Sequence, residues 1–258
     1  MAVYFYRSVR SQAKTVVLSS GLGGHAQYWQ AQITHFQQQF HVLTYDQAGI
    51  LPESGILPDG YNLPMMADEL RQVLEEQKIA QCHFVGHALG GFIGLELARQ
   101  APQLVEKLVL VNAWDRLDAH TNRCFATRLT LLRQAGIAVY VQAQALFLYP
   151  PAWISKHDQQ LALQEQQAIA HFAPVENVEK RLAALRQYQP EQTAREISHP
   201  VLVIANQDDF LVPWQRGLAL FRLIPHADFE LYPTGGHASS VTQPDWFNSC
   251  VLQYLCSE

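Results

Sequence analysis

The reactive chemistry of this 258-residue chain lies beside three glycine clusters. Nine of the 14 glycines fall at Gly21, Gly23 and Gly24; at Gly86, Gly90, Gly91 and Gly94; and at Gly235 and Gly236. Each cluster follows, or nearly follows, the C-terminal end of a predicted strand, the edge where parallel sheets place ligands. Gly86-His-Ala-Leu-Gly90 has the G-x-S-x-G spacing of a sharp strand-to-helix turn that presents a nucleophile. The presenting position holds Ala88, and a methyl group attacks nothing. The turn itself survives, because alanine tolerates the strained backbone about as well as serine. Asp209, in Asp209-Phe-Leu-Val-Pro213, and His237, after Gly235-Gly236, then follow in the order acid, histidine. A lone Asp there would be a helix cap and a lone His structural; in this order behind an elbow they read as a hydrolytic pair. Asp208 is out of register, and Asp115 stands in reserve as an alternative acid. Ser20, Ser239, Ser240 and Cys82 lie near the same loops but have no elbow, and read as hydrogen-bonding or core residues.

The first cluster has more than one reading. Gly21-Leu-Gly-Gly-His-Ala26 matches G-x-G-x-x-A between a strand and a helix, with Asp46 ending the next strand, as in a dinucleotide site. It also suits a loop whose backbone N–H faces a developing oxyanion, or a plain tight turn. A dinucleotide site predicts none of the Ala88–Asp209–His237 series, so the oxyanion reading is preferred, with no cofactor and no metal.

These residues need a scaffold. β-rich runs at 3–9, 15–20, 40–46, 81–86, 107–113, 200–206 and 229–233 alternate with helical candidates at 28–39, 65–77 and 91–100. Such alternation predicts βαβ units and a mainly parallel sheet. The first two runs are joined by too few residues for a crossover helix, so they are expected to pair antiparallel. From Trp114 to Pro190 the pattern turns helical, with one glycine, Gly136. The expectation is a core of residues 1–113 and 191–258 with a helical lid inserted at 114–190.

Composition narrows the partners. Only 16% of residues are charged, against about 25% typically. The net charge of −5 argues against nucleic acid or an anionic membrane. An apolar share of 48% excludes a disordered chain, and no apolar run approaches the roughly 18 residues of a membrane span. MAVYFYRSVR lacks the pattern of a secretory signal, and Cys82, Cys124, Cys250 and Cys256 form no CxxC pair. A cytoplasmic protein acting on a small molecule is expected, with a homodimer the one assembly considered.

SGLGG (20–24), YDQ (45–47), VGHALG (85–90), DAHTNRCF (118–125), LFLYPPAW (146–153), LVP (211–213) and GGHAS (235–239) run through most of the chain. With these stretches it resembles the α/β-hydrolases and, more closely, the RutD family of the bacterial pyrimidine-utilisation pathway. GHALG and HTxRCF are idiosyncratic to that family. The resemblance implies an α/β-hydrolase fold, a mostly parallel sheet with helices on both faces and the inserted lid, and it implies that Ala88 is natural. It implies hydrolysis of a C–N bond in a small product of uracil ring opening: carbamate to ammonia and CO2, or aminoacrylate to malonic semialdehyde and ammonia. One departure stands out: the usual Asp-x-Arg-Gly-x-Gly loop reads Asp46-Gln-Ala-Gly-Ile-Leu51, without the arginine.

The expected mechanism uses activated water. Asp209 would fix the tautomer of His237, whose other nitrogen would hold a water above Ala88. Backbone N–H groups of Leu22 and Leu89 would stabilise the oxyanion. In the lid, Trp114, His120, Arg123 and Tyr149 are candidates to line the pocket, with Arg123 the first choice for an anion. His87 is read as supporting the turn. The alternatives are a non-catalytic ligand-binding homologue, and a cofactor-free lyase or oxygenase with His237 as base.

Overall fold

Runs of β-branched and aromatic residues form seven strands: β1 (Val3–Tyr6), β2 (Thr15–Ser19), β3 (His41–Tyr45), β4 (Cys82–His87), β5 (Val105–Val111), β6 (Val201–Asn206) and β7 (Ala227–Tyr232). The computed structural model describes residues 1–257. The strands form one sheet in the order β1-β3-β2-β4-β5-β6-β7, parallel except where β1 meets β3. β1 therefore does not pair with β2 as expected; β3 lies between them, with Val3 opposite Tyr45 on one side and Val16 opposite Val42 on the other. The reason is burial. Every residue of β2 is buried, which suits a strand with neighbours on both edges, whereas β1 is half-exposed and suits the rim.

Helices cover both faces. Val16 and Leu18 point to a layer formed by α1 (Gln30–Phe36) and α12 (Pro244–Cys256), whose Phe36, Phe247 and Val251 are buried there. Val17, between them, points to the opposite layer of α2 (Leu63–Glu76) and α3 (Leu89–Gln100), as strand alternation requires. Between β5 and β6 come six helices: α4 (Ala119–Ala135), α5 (Ile137–Leu148), α6 (Pro151–Lys156), α7 (Asp158–Ala170), α8 (Val175–Gln187) and α9 (Pro190–Glu196). α4 starts where Asp118 Oδ1 accepts from the Thr121 N–H at 2.8 Å. α9 returns to the core and packs on α3. α10 (Trp214–Phe221) follows β6, and the one-turn α11 (Ser239–Thr242) precedes α12. No helix among the described residues is long and apolar enough to cross a membrane.

One contact sets the position of the site. The start of α3 lies directly against the end of β2, so close that a Cβ on Gly90 would sit 2.2 Å from the Ser19 carbonyl oxygen and 2.5 Å from that of Ser20. A Cβ on Gly86 would sit 2.4 Å from the Gly90 carbonyl oxygen. Only glycine fits, because the opposing atoms are backbone and cannot swing away. Gly90→Ala is therefore expected to cost about 3 kcal/mol, a fall in Tm of roughly 6–12 °C, whereas Gly23→Ala, where a Cβ meets nothing within 4 Å, is expected to be near neutral. Thermal unfolding of the two variants checks this.

Candidate active site

At the turn between β4 and α3, Ala88 has φ 47° and ψ −112°. A non-glycine residue there carries roughly 1–3 kcal/mol of strain and persists only where its surroundings enforce it. The Ala88 N–H donates to the Val111 carbonyl at 2.8 Å, which ties the turn to β5. Leu89 is the first residue of α3, so no intrahelical carbonyl can reach its N–H. Across from it, the Gly24 N–H donates to the Gly21 carbonyl at 3.0 Å. A trans peptide sets N–H opposite C=O, so this turn directs the Leu22 N–H away from its own interior. Gln47 Nε2 donates to the Ser20 carbonyl at 2.7 Å and holds the loop in place.

Asp209 and His237 arrive from the loops after β6 and β7. Asp209 Oδ1 accepts from the Leu211 and Val212 N–H groups at 2.8 and 2.9 Å. Its Oδ2 accepts from His237 Nδ1 and from Asn112 Nδ2, both at 2.8 Å. The carboxylate can rotate away only by breaking four hydrogen bonds. With Nδ1–H on the acid, His237 Nε2 carries a lone pair, and no hydrogen-bond partner meets it among the described residues. Asp115 instead faces Arg216, 3.4 Å away, and makes no contact with the histidine. Asp208 holds the histidine loop by accepting from the Gly235 and Gly236 N–H groups at 3.1 and 2.8 Å. The sequence reading missed the roles of Asp208 and Asn112; adjacency to Asp209 and the end of β5 were the only signals.

His87 is buried and stacks on Tyr28, ring centroids 4.9 Å apart, with the His237 ring edge-on at 4.7 Å. Its Nε2–H donates to the His237 carbonyl at 2.6 Å, and its Nδ1 has no partner among the described residues. Burial, reinforced by the neighbouring His237, pushes the His87 imidazole down to about 3. Tyr28 accepts a hydrogen bond from Ser240 at 2.8 Å, and burial raises the phenol above its ordinary value.

The lid residues divide. Trp114 is buried against Phe92, ring centroids 4.7 Å apart, and Tyr149 packs on Trp153 at the joint of α5 and α6. That joint presses on the histidine loop: a Cβ on Gly236 would sit 2.7 Å from the Leu148 carbonyl oxygen. His120 is exposed and its Nε2 meets the Phe210 carbonyl at 2.6 Å, so it fastens α4 to the Asp209 loop. Arg123 is exposed and makes no hydrogen bond among the described residues, which removes it from the interior. Helix phase explains why: the buried stripe of α4 runs Thr121, Cys124, Phe125, Arg128, Leu132, and Arg123 is off it. The arginines that face inward are Arg128 and Arg181. Arg181, on α8, is 1% exposed and reaches the Leu22 carbonyl at 3.1 Å, the Ala48 carbonyl at 3.3 Å and Gln47 Oε1. A lid guanidinium thus stands beside the loop that carries Ala48.

The site residues are buried: Ala88, His237 and Asp209 are 5%, 2% and 8% exposed. A cleft of about 880 Å³ opens elsewhere, between Arg116, Asn122, Arg186 and Arg195, and neither His237 nor Ala88 lines it.

Residues 14–141 match the family model of the alpha/beta hydrolase fold. The chain is 48% identical, over 99% of its length and 98% of the relative's, to an Acinetobacter baylyi protein named "Putative carbamate hydrolase RutD". It is 46% identical to a protein of the same name from Stutzerimonas stutzeri, over 95% of this chain and 93% of the other. Among solved structures, the enol-lactonase of Burkholderia xenovorans LB400 superposes with a TM-score of 0.89 at 22% identity, covering 99% of this chain and 96% of that one. At that identity the likeness is one of fold.

Two consequences are measurable. Between pH 6.5 and about 3 the unfolded chain holds a proton at His87 that the folded chain does not, so stability falls as pH drops through that window. His87→Gln, whose amide still donates to the His237 carbonyl, is expected to flatten the fall in Tm; parallel curves for the two proteins would contradict it. Arg181→Met strips donors from two carbonyls and Gln47 and is expected to cost about 3 kcal/mol, read from the urea midpoint.

Proposed function

The chain belongs to the RutD family of the α/β-hydrolase fold, and we propose that it hydrolyses the C–N bond of a small anionic product of uracil ring opening, with carbamate the preferred substrate. The observation that carries this reading is the 2.8 Å contact of His237 with a fully hydrogen-bonded Asp209, beside an elbow whose residue is alanine. The names of the relatives, at 46–48% identity, supply the substrate class. In this reading the protein serves nitrogen utilisation in the cytoplasm.

Water takes the place of the serine. His237 Nε2 accepts a proton as the water oxygen bonds to the carbamate carbon, while Asp209 holds the imidazole in the Nδ1–H tautomer. The Leu22 and Leu89 N–H groups receive the charge that collects on oxygen. His237 then returns its proton to the nitrogen as the C–N bond breaks, and ammonia and bicarbonate leave. On aminoacrylate the same proton would go to carbon, and water would attack the resulting imine. The demand is modest, because both substrates also decompose spontaneously, and hydrolases stripped of their nucleophile still exceed the water reaction by roughly 10³-fold.

Ammonia release above the buffer rate tests the proposal. His237→Gln is expected to remove the enzymatic excess by about 10²-fold or more, and Asp209→Asn to lower it substantially. If neither variant slows release from carbamate or aminoacrylate, the hydrolase reading fails. Ala88→Ser is expected to create activity on simple aryl esters, since the elbow, the acid–histidine pair and the oxyanion donors are then complete.

A further inference from the structure

Two buried arginines enter the interior from the lid, and they are not alike. Arg181 meets three neutral acceptors. Arg128, 6% exposed, meets one, Gln144 Oε1, through Nη2. Its Nε is buried without a partner, and no carboxylate pairs with it among the described residues. The rings of Phe125, Tyr140 and Phe147 surround the guanidinium, 5.9, 5.8 and 5.8 Å from its carbon. A charge buried this way is costly unless an anion or further acceptors complete it.

Its helix is fastened to the loop that carries Asp209. Arg128 shares a face of α4 with Thr121 and Cys124. Thr121 Oγ1 donates to the Leu211 carbonyl at 3.0 Å, which lays that face on the loop just after Asp209. Phe147 packs on both Arg128 and Phe210. The next residue, Leu148, presses on Gly236 beside His237.

We infer that Arg128 is the receptor for a substrate carboxylate remote from the reacting carbon, as in aminoacrylate, held by the planar fork that suits two oxygens on one carbon. This rests on the reading that the substrate is a small anion. The aromatic rings leave the guanidinium few polar neighbours, and the neutral Gln144 leaves the charge for the ligand.

Binding tests it without turnover. Propionate, against propionamide at equal ionic strength, is expected to raise the Tm by about 3–6 °C at ten times Kd, and the amide is expected to do nothing. Arg128→Gln is expected to abolish the propionate shift and Arg123→Gln to keep it. Gln144→Glu provides an internal counter-ion at nearly constant volume; it is expected to raise the ligand-free Tm and remove the propionate response. It remains decisive should Arg128→Gln fail to fold. Equal shifts with acid and amide, or a propionate shift that survives Gln144→Glu or Arg128→Gln, overturn the inference. A protein that binds propionate through Arg128 yet releases no ammonia above background fails the hydrolase proposal alone.

Discussion

Everything at this site depends on a backbone-to-backbone contact. Gly86 and Gly90 let the first turn of α3 rest on the carbonyls that end β2, and no side chain can intervene. That contact forces residue 88 into its strained conformation, frees the Leu89 N–H at the helix start, and brings the loop at residues 20–24 alongside. The strain is tolerable because it is confined to one residue in a rigid, buried setting. Ala88 holds that geometry without offering a nucleophilic atom.

Around the turn, polar groups are pinned from outside rather than by each other alone. Adjacent acids divide the work: Asp208 fixes the loop that carries His237, and Asp209 fixes the ring. Asn112, at the end of β5, fixes Asp209 in turn. The lid closes over this arrangement with cations. Arg181 joins α8 to the loops at Leu22 and Ala48 through their main-chain carbonyls. A chain with few charges has thus spent several of them in its interior, where low dielectric makes each more consequential.

Much of this was legible in the residues. Strand runs, the glycine clusters and the order Ala88, Asp209, His237 follow from local pattern, because backbone clearance and strand propensity are read within a few positions. The pairing of β1 was not legible, since β3 lies far along the chain and burial chooses the edge. Arg123 was chosen because a small anion needs a cation; helical phase through Thr121, Cys124 and Phe125 places it off the buried stripe of α4. Arg181 left no signal, because its acceptors are main-chain carbonyls distant in sequence.

By itself, then, the sequence determined the kind of fold, the turn that lacks a nucleophile and the acid and histidine that follow it. The tertiary structure decided that Asp209 rather than Asp115 meets the histidine, that the inward cations are Arg128 and Arg181, and that Ala88, Asp209 and His237 are all buried. The division has a physical cause. Conformation near a glycine or a strand is set by neighbours in the chain, whereas hydrogen-bond partners and burial are set by elements that meet only after the sheet has assembled.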